Sequence, residues 1–128
     1  MHKTFLITAS LLAALGVALG AFGAHGLKKI VPPETVVTFQ TGVQYQMYHA
    51  FALFIVAIIY ERFATSYVAN AGWFFFSGII LFSGSLYVLT LLKATNKVGL
   101  SGIGAITPIG GLLFITGWVL LLLGILRK

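Results

Sequence analysis

The sequence predicts an all-α integral membrane protein: a four-helix bundle of spanning helices, with an interfacial helix between spans one and two. Three observations point there. Of the 128 residues, 59% are hydrophobic and 8% charged, against about a quarter charged in a soluble domain; mean hydropathy is +1.05. The apolar residues fall into four runs, each near the ~20 residues that cross a bilayer as a helix. The charges gather at the ends of those runs. An outer-membrane barrel is excluded, because no ten-residue segment alternates polar with apolar residues.

The first span covers about residues 4–24 and holds no charge. Its basic start and small-residue end resemble a secretory signal, but the apolar run exceeds a signal core, so a retained span is expected. The second covers about 43–60, with Gln44, Gln46 and His49 in its first turns. The third, about 68–92, lies between Arg62 and Lys93, and the fourth covers about 103–126. The connections after spans two and three are short, whereas the first is long and carries Pro32 and Pro33. Pro33 suits the first turn of a helix and Glu34 complements its dipole. An interfacial helix over about 34–44 is therefore expected, feeding into span two with or without a break. Together these make residues 1–128 a single transmembrane domain.

The net charge of +6 could suggest nucleic acid in a soluble protein. Here the basic residues sit in ones and twos at span ends, which fits membrane lipid head groups and not nucleic acid. Lys3, Arg62, Arg127 and Lys128 share one side; Lys28, Lys29, Lys93 and Lys97 share the other. That is four against four, and only the amino terminus beside Lys3 tips the expectation toward both termini being cytoplasmic. Cysteine is absent, so disulfides and thiolate metal sites are excluded.

Small residues mark packing faces. Ala9, Ala13, Gly16, Gly20 and Ala24 recur at spacings of three and four on one side of span one. Gly110, Gly117 and Gly124 do the same in span four, and Ser77 and Gly84 in span three. Such faces let backbones approach where lipid supplies little hydrophobic drive; they serve packing within one chain or between copies. Gly23 and Gly26 weaken the first helix ahead of Lys28.

No Asp, Glu, Lys or Arg falls inside a predicted span. Polar residues that do include Tyr45, Gln46 and His49 on one face of span two, with Ser83, Ser85 and Tyr87 in span three and Thr107 and Trp118 in span four. Buried polar groups in lipid need partners, so these read as an interhelical hydrogen-bond network, or more sharply as a ligand pocket. His25 closes span one, and a hairpin is expected to bring it toward Tyr45, Gln46 and His49 near the non-cytoplasmic surface. Two histidines without an acidic neighbour are a poor metal set, so no metal or cofactor is expected. No Walker A loop, HExxH or dinucleotide fingerprint occurs, and no catalytic residue can be assigned.

Four motifs carry a resemblance: "GAFGAHGL" (20–27), "FQTGVQYQMYHAFAL" (39–53), "LFSGSLYVL" (81–89) and "TPIGGLLFITGW" (107–118). In that order they resemble the small bacterial membrane family catalogued as domain of unknown function 423. The resemblance touches all four spans. It implies a four-span protein of the bacterial cytoplasmic membrane and assigns no activity. The expected function is that of a non-enzymatic structural or partner-binding envelope protein. The alternative is a small oligomeric transporter or channel for a small solute or lipid, and a third reading is an intramembrane enzyme or cofactor carrier using His25 and His49. Expected partners are membrane lipid and a second copy or another membrane protein.

Overall fold

A computed structural model of the chain describes residues 1–96 and 101–127. Lys97 and Lys128, counted above for orientation, lie outside them. Helix α1 is Lys3–Ala24, α2 Pro33–Ile59, α3 Ser66–Gly78, α4 Gly84–Ala94 and α5 Ile106–Leu126. A π-helical turn, Ile79–Ser83, joins α3 to α4, so the third span is one rod. Short 3₁₀ turns, Leu27–Lys29 and Ser101–Ala105, follow α1 and precede α5. Four helices are long and apolar enough to cross a membrane, and no strand occurs among the described residues.

The helix ends follow local chemistry. His2 Nδ1 accepts the Phe5 N–H at the start of α1, and the Thr65 hydroxyl accepts that of Val68 at the start of α3. Pro33 opens α2 where its missing N–H needs no partner, with Glu34 in the first turn. Beyond α4, Asn96 takes the left-handed conformation (φ 57°) that asparagine tolerates at a helix end.

The helix expected over 34–44 runs into span two without a break. Residues 34–44 belong to α2, a single helix of 27 residues and thus about 40 Å long, against ~30 Å of hydrocarbon. Nothing breaks it: Gly42 lies on the buried face, where its missing Cβ admits the Tyr87 ring and the Ser83 carbonyl. The first turns of α2 pack inward, with Val36 and Phe39 joining Leu27 and Val31 in a cluster that seals the α1–α2 hairpin.

Helix α1 lies along α2, and α5 lies along α3. The two pairs join where α2 meets α3, the π turn and α4. The main core forms at that junction, with Phe5, Leu53, Val56, Val68, Phe75, Ile79 and Phe114 among its buried members. Close approach depends on glycine. Gly16 faces Met47, Gly20 faces Val43, Gly117 faces Phe75, and Gly124 faces Val68. Ala24 is half-buried near the end of α1. The pairing of Ser77 with Gly84 in span three is corrected: Ser77 is exposed, and a Cβ at Gly84 would meet nothing of another helix within 4 Å. Spacing alone could not choose the face, and the third span instead uses Gly72 against Phe5 and Gly78 against Phe114.

Gly110 is the tightest of these contacts in kind, because a Cβ there would meet the backbone of Phe82, with its Cα at 2.7 Å. At Gly16 the obstacle is only the flexible end of Met47. Gly110→Val is expected to destabilise the fold by about 1–3 kcal/mol through overpacking, and Gly16→Ala by much less. Thermal unfolding of both variants in detergent measures the difference.

Candidate functional site: a polar network at mid-membrane

Helix α1 is flanked by Lys3 and Lys28, so its middle marks the middle of the bilayer. There Gln46, 1% exposed, reaches across from α2. Its Nε2 donates to the Leu12 carbonyl at 2.8 Å, and its Oε1 accepts from the Tyr87 hydroxyl at 2.6 Å. One amide thus ties α1, α2 and α4 together.

One turn toward the core, His49 is clamped as firmly. Its Nδ1 lies 2.8 Å from the Tyr45 carbonyl, and the Trp118 Nε1–H points at its Nε2 at 3.1 Å. An indole N–H can only donate, so Nε2 accepts, and the proton sits on Nδ1, which donates to Tyr45. The imidazole is held neutral in a defined tautomer. It stacks on Phe114 with ring centroids 3.6 Å apart and planes 8° apart, and Phe75 closes another side. This links α2 to α5.

The π turn extends the network. The Ser83 hydroxyl donates to the Gly42 carbonyl at 2.6 Å, and Ser85 pairs with the Thr107 hydroxyl on α5. Two serines two residues apart therefore serve opposite neighbours, as the central position of the third span requires. Among the described residues, no buried side-chain nitrogen or oxygen lacks a partner, and no group of three His, Cys, Asp or Glu is placed to hold a metal.

Gln46 with Tyr87, His49 with the Tyr45 carbonyl and Trp118, Ser83 with the Gly42 carbonyl, and Ser85 with Thr107 thus form a set of interhelical groups, each closed on itself or on a neighbouring helix. His25 joins none of them. It is exposed at the C-terminal end of α1. The expected approach of His25 to His49 fails because α1 and α2 run antiparallel with Gly16 beside Met47, Gly20 beside Val43 and Gly23 beside Gln40, which sets His25 level with about residue 38 and about 16 Å from His49 in depth. Two members were not anticipated. Gln40 donates to the Gly20 carbonyl at 3.2 Å and covers Gly23; its position opposite a glycine-rich stretch was the available signal. Phe114, the stacking partner of His49, carried no signal in the sequence.

A family model described as "Protein of unknown function (DUF423)" matches residues 19–111. The chain is 44% identical over 126 residues to the UPF0382 membrane protein YwdK of Bacillus subtilis (strain 168), covering 98% of each. It is 46% identical to the UPF0382 membrane protein SAB0533 of Staphylococcus aureus (strain bovine RF122 / ET3-1), over 94% of this chain and 93% of that one. No solved structure matches.

The Gln46–Tyr87 pair invites a double-mutant cycle. Gln46→Leu takes from the Tyr87 hydroxyl its acceptor on α2 and Tyr87→Phe leaves the Gln46 carbonyl unpaired, so either single change is expected to cost more than its share of the double change. A coupling of about 0.5–1.5 kcal/mol is expected for an interhelical bond in a bilayer, read from unfolding of the four variants in mixed micelles.

Proposed function

The chain belongs to the DUF423 family of bacterial membrane proteins, and on that premise we propose that it is a non-enzymatic structural protein of the cytoplasmic membrane, with both termini in the cytoplasm. Its task is to hold four spans in a fixed arrangement and present their lipid-facing surfaces to other membrane components. One observation carries this reading: the mid-membrane polar groups end on one another. Gln46, His49, Ser83, Ser85 and Tyr87 all point inward, and each is matched to a named protein atom or to Trp118.

A pore requires polar groups that face a water path and exchange partners with a passing solute. A catalytic centre requires a group whose proton or lone pair is available to substrate. His49, the one intramembrane histidine, has both ring nitrogens engaged and one ring face covered by Phe114. The arrangement supports a clasp between helices.

His49→Phe separates the readings. As a clasp residue its loss should lower the melting temperature in detergent, because the Trp118 N–H loses its acceptor. Liposomes holding the purified wild-type chain should keep a small neutral solute as well as protein-free liposomes do in a light-scattering osmotic assay. Solute flux through wild-type protein that His49→Phe abolishes without change in melting temperature would overturn the structural reading in favour of transport.

A further inference from the structure

Not every intramembrane polar group turns inward. The stripe of α2 left open between α1 and α5 carries Val37, Gln44, Tyr48, Phe51, Ile55 and Ile58, all exposed. Gln44 and Tyr48 stand within a turn of Gln46, the level at which α2 meets the middle of α1, so this stripe places an amide and a phenol against acyl chains. The Gln44 Nε2 donates to the Tyr48 oxygen at 2.6 Å. That bond satisfies one donor and one acceptor. The second amide N–H, the amide oxygen Oε1 and the Tyr48 O–H have no partner among the described residues. Lipid tails offer none, and an unpaired polar group in hydrocarbon is strongly disfavoured.

We propose that a second copy of this chain covers this face, α2 against α2, with the Gln44 amides hydrogen-bonded across a two-fold axis normal to the membrane. The chemistry is self-complementary. Gln44 is left with one free N–H and one free carbonyl oxygen, so two copies facing each other across the axis satisfy both. Each Tyr48 O–H then finds the second lone pair of the opposite amide oxygen. Apolar contact continues on either side, through Val37 toward one membrane surface and Phe51, Ile55 and Ile58 toward the other. A shallow groove of about 490 Å³ beside the stripe, lined by Val36, Gln40 and Val43 among others, leaves room for side chains of the opposing helix. Neither Gln44 nor Tyr48 belongs to the inward network, so the inference stands apart from the proposed function.

The test uses the full chain labelled with donor or acceptor dye in vesicles of phosphatidylethanolamine and phosphatidylglycerol. Energy transfer is followed as protein is diluted with lipid. Wild type should show a reversible monomer–dimer transition, and Gln44→Leu should move its midpoint about tenfold toward higher protein, the size of one or two interhelical hydrogen bonds in a bilayer. Leu112→Ala, on the exposed face of α5, should move nothing. Since the chain holds no cysteine, a single cysteine in place of Val37 or Ile58 gives an independent readout that keeps Gln44 intact: both should cross-link between copies under mild oxidant, and Leu112→Cys should not. A monomer at every dilution, a transition indifferent to Gln44→Leu, or equal cross-linking from α5 would each overturn the proposal; the last would place a contact on another face.

Discussion

The absence of water at the middle of the bilayer is the constraint on which this structure depends. An amide or imidazole placed there must find its partners inside the protein. Gln46 meets the demand by joining the α1 backbone to the Tyr87 hydroxyl, and His49 meets it by joining its own helix to Trp118. Each bond has a direction and a length, so each sets the rotation and height of one helix against the next. Apolar packing alone would tolerate many such settings, because lipid tails resemble leucine closely enough that a rotated helix loses little.

The glycines make those settings reachable. An amide can reach a backbone carbonyl only if the helices run close, and the positions opposite the polar residues are accordingly small. Gln46 passes near Gly16, and Gln40 covers Gly23. On the other side of the bundle, Gly110 lies against the backbone of Phe82 within the π turn, and Gly117 lies beneath Phe75. The π turn is part of the same solution. It sits where the third span passes between α2 and α5, and the serines within and just after it bond to those two helices in turn. π turns recur where a helix must re-aim side chains at a functional position; here the re-aimed side chains hold the bundle together.

Polar residues on α2 therefore divide into two sets with different fates. Gln46 and His49 turn inward and are matched within the chain, whereas Gln44 and Tyr48 turn outward and are matched only to each other. The division is a matter of one or two positions along the helix. It separates the groups that hold one molecule in shape from those that remain available to another.

Much was legible in the sequence. Four long apolar runs with charges at their ends leave no other solution than spanning helices, since every backbone group in hydrocarbon must be bonded locally. The motifs around His49 and Ser83 identified the polar residues, because polar side chains inside apolar runs stand out by composition alone. Where α2 begins was a tertiary matter: composition changes near residue 43, but the helix starts at Pro33 because its first turns bury Val36 and Phe39 against Leu27 and Val31. That added length carries His49 to mid-membrane, far from His25. Which glycines meet a neighbour was likewise undecided, since Gly84 and Gly110 look alike as letters and differ only in what stands opposite. The inward or outward fate of Gln44 and Gln46 depends on rotation about a single axis. That rotation is settled only when α1, α4 and α5 arrive with the atoms that Gln46 and His49 require.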